Sequence, residues 1–157
     1  MAATVITPDQ DAIVSEIYIA ATCERVFQAL IDREQVMKWW TGGGCQIEDF
    51  ALEPRRGGRW HYDSKNSTRT INGIHEFQCE GEVLEYDPPH LLAYTWIANW
   101  HEDKSQRTTV RWELTPQASG TLLKVTHSGL AALAASRKDY SGGWPGVVTQ
   151  IKKFVER

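Results

Sequence analysis

Nowhere in these 157 residues do about 18 apolar residues run together, so no membrane-spanning helix is encoded. Surplus charge is also scarce. Lys and Arg number 17 against 20 Asp and Glu, a formal net charge of -3 with a pI near 5.9. That leaves no basic footprint for nucleic acid, and Lys152–Lys153 and Arg55–Arg56 read as solvated pairs rather than phosphate readers. Cysteine is limited to Cys23, Cys45 and Cys79, with no CxxC spacing, which argues against a disulfide scaffold and suits a reducing compartment. The first residues lack a basic region followed by an apolar core, so no secretory leader is expected and a cytoplasmic location is. His61, His75, His90, His101 and His127 include no helical i, i+4 pair. His75-Glu76 and His101-Glu102 begin like HExxH but lack the second histidine, so neither a metal nor another cofactor is expected. There is no GxSxG elbow for a nucleophile. Gly42-Gly43-Gly44 lacks the Lys-Ser/Thr of a phosphate loop and reads as a flexible connector beside a cavity mouth.

What is present is alternation and aromatic rings. Residues 1–12 read as a flexible lead-in, and 13–157 as a single domain of ordinary soluble composition. Ile13–Ile19 alternates as a first strand. Thr22 can cap a helix through its hydroxyl, and Val26, Phe27, Leu30 and Ile31 give that helix one apolar face. A second short helix is expected over Glu34–Trp40. Strands follow at Cys45–Leu52, Gly58–Asp63, Gly73–Tyr86, Leu91–Ile97, Thr108–Thr115 and Thr121–His127, separated by turn residues such as Pro54-Arg55-Arg56-Gly57 and Asp87-Pro88-Pro89. Along Gly73–Tyr86, Phe77, Cys79, Gly81 and Val83 take one side, and Gln78, Glu80 and Glu82 the other; one face is dry. Gly81 inside that strand suggests a bulge or bend. Trp144, Val147, Val148, Ile151, Phe154 and Val155 then fall at helical spacing, with Pro145 suited to a first turn. That stripe must lie on the sheet.

The segments IYIAATCERVFQALIDREQVMKWW, EPRRGGRW, EGEVLEYDPPHLLAYTW, GTLLKVTHSGL and GGW, in this order, resemble the SRPBCC superfamily of START- and Bet v-like proteins. Within it the chain resembles the activator of Hsp90 ATPase homologue family in its bacterial single-domain form, from about Val14 to Val155. The resemblance implies an α+β helix-grip fold. A curved seven-stranded antiparallel sheet would wrap a long C-terminal helix, with two short helices after strand 1 and a cavity between sheet and helix. It also implies a ligand such as a lipid, a polyketide or a flavonoid-like compound; some superfamily members are aromatases or cyclases. The co-chaperones in the family title carry a further N-terminal domain that has no counterpart in residues 1–12, so the resemblance implies the fold more than a chaperone partner.

Seven tryptophans are more large rings than a core needs, and ligand cavities use rings as walls with polar tips. The faces of their strands aim Trp60, Tyr62, Phe77 and Trp112 inward, and Trp40, Phe50, Trp96 and Trp144 complete the expected lining. The same rings would also serve as filler beneath the helix. His127, ending a strand on the face of Leu123 and Val125, is the one weak catalytic candidate: an imidazole there could protonate a ligand oxygen with help from Tyr62 or Tyr94, or be satisfied by a backbone carbonyl. The expected function is binding of a hydrophobic or aromatic small molecule. A cyclase- or aromatase-type enzyme using His127 and a tyrosine is the first alternative, and a chaperone-interacting module the second. A homodimer could form through an edge strand or through the loop at Ile97–Trp100.

Overall fold

Thr22 starts the first helix as its hydroxyl predicts, accepting a hydrogen bond from the Arg25 amide at 3.2 Å. The computed structural model describes residues 2–41, 45–66, 70–71, 73–103 and 105–157, so the Gly42-Gly43-Gly44 connector lies outside the described residues. In chain order the elements are β1 (Ala3–Ile6), β2 (Ile13–Ile19), α1 (Cys23–Ile31), α2 (Arg33–Trp39), β3 (Cys45–Leu52), β4 (Arg59–Asn66), β5 (Glu76–Asp87), β6 (Leu91–Ala98), β7 (Thr108–Gln117), β8 (Gly120–Ser128) and α3 (Ala134–Val155). The strands form one antiparallel sheet in the order β1-β2-β8-β7-β6-β5-β4-β3. Helix α3 packs on its inner face, and α1 and α2 support one end. This is the helix-grip arrangement, with an apolar core running from Ile13 on β2 to Val155 on α3.

Two expectations need correction. The sheet has eight strands rather than seven, because part of the expected lead-in forms β1. Val5 sits opposite Val14, and the Thr4 and Ser15 hydroxyls meet at 2.8 Å. Four residues are too few to show a clear period, and the edge of β2 supplies the partner that makes them a strand. The C-terminal helix begins at Ala134, so Pro145 lies in its interior rather than its first turn. Gly142, Gly143 and Pro145 oppose helix by roughly 1, 1 and 3 kcal/mol on intrinsic propensity. Burial of Tyr140 before them, Trp144 among them and Val148 and Ile151 after them outweighs that cost.

The irregularity expected at Gly81 falls between Val83 and Glu85. Gly81 serves another purpose. A Cβ there would lie 2.0 Å from the Thr95 carbonyl oxygen, and that oxygen is pinned by the Trp60 indole N–H at 2.8 Å. The strands can approach this closely only with no side chain at 81. Gly81→Ala should therefore cost about 1–3 kcal/mol, read as a lower urea midpoint at unchanged slope; an unchanged midpoint would show that the backbone yields freely here. On the far end of β6, Trp100 packs inward against Phe77 at 5.3 Å and is buried. The Ile97–Trp100 loop thus does not present its rings as a dimer surface, which leaves the β1 and β3 edges.

Candidate functional site

Alternation along β4 buries Trp60, Tyr62, Ser64 and Asn66 in succession, so its inner face changes from aromatic to polar toward its end. Opposite this face, α3 brings Tyr140 and Trp144. Between them lies a pocket of about 210 Å³, open on one side and lined by Trp40, Tyr62, Ser64, Asn66, Ile71, Phe77, Trp96, Trp100, Asp139, Tyr140, Gly143, Trp144 and Val147. Of the expected lining, Trp40, Tyr62, Phe77, Trp96 and Trp144 are brought together there. Phe50, Trp60, Trp112 and His127 are buried but stand behind the wall. Phe50 lies across from Tyr62 on β3. Trp60 packs on Tyr94 at 4.5 Å and on Trp96 at 5.1 Å. Trp112 donates to the Tyr94 hydroxyl at 2.9 Å and meets the Trp144 ring edge-on at 5.7 Å. Alternation tells which way a side chain points, but not how deep it sits.

His127 is fixed in one tautomer by its neighbours. The Trp144 indole can only donate, and it does so to His127 Nδ1 at 3.1 Å. Nδ1 therefore holds the lone pair and Nε2 the proton, which points to the Thr108 hydroxyl at 2.8 Å. Thr108 in turn donates to the Trp96 carbonyl at 2.9 Å. Burial pushes the His127 pKa well below its ordinary value, helped by the nearby His101. Both ring nitrogens are engaged within the protein, so His127 has no free lone pair to take a ligand proton. The satisfied-histidine alternative describes it, with an indole and a hydroxyl as partners in place of a carbonyl.

The residue that sequence reasoning missed is Tyr140. Its hydroxyl lies 2.6 Å from His101 Nε2 and accepts from the Trp96 indole at 3.0 Å. Its ring is 4.3 Å from that of His127. Burial raises the Tyr140 pKa well above its ordinary value and lowers that of His101, so both stay neutral near pH 7. A signal existed: Tyr140 is four residues before Trp144 and continues the apolar stripe one turn upstream. Gly142-Gly143 and Pro145 hid it by looking like a helix boundary.

The outer face of the sheet is different. A groove of about 530 Å³ runs past His61, Asp63, Gln78 and Glu80. It is larger than the inner cavity, but charged and amide side chains of the wet face line much of it. At its margin Asp49, His61 and Asp63 bring potential ligand atoms within 4.8 Å of one another. The Asp49 oxygens are already taken by His61 at 2.9 Å and Arg33 at 2.8 Å. Those two bonds, His61 first, hold the Asp49 pKa at about 2. The cluster reads as an ion-pair network. The ring-lined cavity is the better candidate.

Comparison with known proteins agrees with this architecture. A family model described as Activator of Hsp90 ATPase homolog 1-like protein matches residues 20–156. No curated protein matches. A crystal structure of a Rhodobacter sphaeroides protein superposes with a TM-score of 0.78 at 18% identity, covering 99% of this chain and 96% of the other. CalU16 from Micromonospora echinospora superposes at 0.66 and 18% identity, covering 99% and 83%. DynU16, from the dynemicin biosynthetic locus, superposes at 0.69 and 19% identity, covering 93% of this chain and 47% of the other. At these identities the structures show the fold. With 20–156 matched, a span that holds six of the eight strands and all three helices, the chain belongs to the activator of Hsp90 ATPase homolog 1-like family.

Proposed function

We propose that this protein binds a hydrophobic or aromatic small molecule, of a lipid, polyketide or flavonoid-like kind, in the cavity beneath α3, without turning it over. The observation that carries the reading is the wall itself. Seven of its thirteen residues, Trp40, Tyr62, Phe77, Trp96, Trp100, Tyr140 and Trp144, are aromatic, and concave apolar walls with a few polar tips are what small-molecule sites require. That DynU16, similar in fold, comes from a biosynthetic locus supports a small organic ligand. The buried free thiols of Cys23 and Cys79 support a reducing, cytoplasmic setting. A homodimer through the β1 or β3 edge is compatible with this reading and is not needed for it.

The non-catalytic reading is supported by His127, both of whose ring nitrogens make hydrogen bonds within the protein. The chaperone alternative rests on the family title. Among the described residues the exposed large apolar side chains are Val5, Ile6 and Leu84, on strands with four others between them, so they form no common docking patch. No helix among the described residues is long and apolar enough to cross a membrane.

The test is a titration of ¹⁵N-labelled protein with fatty acids, flavonoids and simple aromatics, followed by indole N–H resonances. Shifts in Trp40, Trp96 and Trp144 that saturate are expected, because their rings line the pocket. No saturable shift in any of them would remove the reading.

A further inference from the structure

β1 is an open edge. No strand lies beyond it among the described residues, and its pairing with β2 tells which backbone groups it leaves free. The Thr7 amide donates to the Ala12 carbonyl at 2.9 Å, the next pair along from Ile6↔Ile13. In an antiparallel ladder such bonded pairs alternate with unbonded ones. Val5 and Ala3, opposite Val14 and Glu16, therefore spend their N–H and C=O groups on β2. Thr4 and Ile6 aim theirs outward. The 2.8 Å contact between the Thr4 and Ser15 hydroxyls agrees, since residues of an unbonded pair stand closer.

The two edges of the sheet are not equally open. β3 carries Glu48 and Asp49, and its register shifts between Ile47 and Asp49. Arg33 of α2 engages Asp49, and Lys65 of β4 engages Glu48. Charges and bulges of this kind guard a sheet edge against pairing. From Ala2 to Pro8, by contrast, no side chain is charged. β1 keeps an unbroken register, and Val5 is 61% and Ile6 39% exposed. Those two side chains point to opposite faces of the strand, so they suit an edge rather than a patch.

The strand also fits itself. Two copies related by a two-fold axis present the same surface to each other. Within Ala3–Ile6, one antiparallel register engages every outward N–H and C=O: Thr4 against Ile6 of the second copy. That register sets Val5 on the axis, opposite Val5 of the second copy in the closely spaced position. Ile6 then lies beside Thr4 of the second copy. Both exposed apolar side chains are covered at once, and no like charges meet. Pro8, next in the outward series, has no N–H and ends the ladder. A foreign extended segment would meet the same backbone groups, but the neutral, self-matching side chains select a second copy. We infer that β1 is a self-association edge, through which two copies of this chain join their sheets about a two-fold axis at Val5. So short a ladder falls below the ~1,200 Å² of a standard interface, which makes the dimer weak and dependent on concentration.

Sedimentation velocity and amide hydrogen exchange between ~10 µM and ~1 mM protein test this. The sedimentation coefficient should rise with concentration. The Thr4 and Ile6 amides should gain protection at the upper end, while those of Ala3 and Val5 are protected throughout. Val5→Lys should weaken association about tenfold or more by setting two ammonium groups face to face. Its urea midpoint should not move, because the side chain is well exposed. Mixing Val5→Lys with Val5→Glu should restore association, and Leu84→Lys on β5 should leave it unchanged. A monomer over the whole range, whatever else the edge accepts, would overturn the inference. So would association that Val5→Lys leaves intact, that Leu84→Lys weakens equally, or that the mixed charge variants fail to restore. Protection of Ala3 and Val5 in place of Thr4 and Ile6 as concentration rises would overturn it without recourse to any variant.

Discussion

His127→Ala is expected to lower the unfolding free energy by about 3–5 kcal/mol, the largest effect of any single substitution considered for this protein. The side chain is fully buried, and its ring contacts Tyr140 at 4.3 Å, Trp96 at 5.4 Å and Trp144 at 5.7 Å. Truncation leaves a ring-sized void, which alone costs on the order of 2–4 kcal/mol where neighbours cannot collapse. It also strands the Trp144 indole N–H without its acceptor, a further ~1–3 kcal/mol for a buried donor. These terms overlap, since a water admitted to the void can serve the stranded donor. His127→Gln, which retains a donor and an acceptor, should lose less. The measurement is the urea midpoint of each variant at pH 7.5. A loss below about 1 kcal/mol for alanine would mean that this histidine is not the structural knot its contacts describe, and would return it to the list of acid–base candidates.

The second large effect is a loss of stability in mild acid. His127 and His101 are both held neutral by burial, with their pKa values lowered. In the unfolded chain they take a proton near pH ~6.5. Below that pH the unfolded state binds more protons than the folded one, so the unfolding free energy falls as pH falls. Above it the contribution is complete and flat. The slope is at most about 1.4 kcal/mol per pH unit for each proton. Charging one imidazole discourages charging the other, and Glu102 partly opposes the shift of His101, so His127 should dominate and the slope should be nearer one proton than two. Carboxylates act in a different window. Asp49, Glu102 and Glu156 have lowered pKa values, and their contributions are present above pH ~4 and disappear below it. A urea midpoint that is level from pH 8 to 7 and declines between pH ~6.5 and ~5 would therefore report the histidines alone. A midpoint unchanged down to pH ~5 would contradict the buried neutral pair.

How much of this could be read in the residues depends on the length scale involved. Strict alternation in β4, β5, β7 and β8 identified Trp60, Tyr62, Phe77, Trp112 and His127 as inward-facing, and all five are buried, because a strand has only two faces. The stripe from Trp144 to Val155 identified the helix that closes the sheet. The start of that helix was hidden, since glycine, glycine and proline signal a break locally and only long-range packing on β8 and the Trp96 ring overrides it. With the start went Tyr140 and its tie to His101, two residues 39 apart in sequence. Depth was hidden for a similar reason. Trp96 lines the cavity while Trp60, at 5.1 Å from it, does not, and no pattern within either strand separates them. Cavity volume is a small difference between large side-chain volumes, so it emerges only once every neighbour is placed.

The interior proline of α3 has a consequence for how firmly the hollow is walled. Pro145 brings no N–H to the Ser141 carbonyl, and Gly142, Gly143 and Gly146 would each have open space for a methyl group; steric need does not explain their lack of one. Each glycine forgoes roughly 0.5–1 kcal/mol relative to alanine, so this turn is the easiest part of the helix to unwind, as local opening follows the least-secured backbone. Gly143, Trp144 and Val147 border the hollow on this side. Loosening this turn would alter the wall of the hollow without parting any of the eight hydrogen-bonded strands.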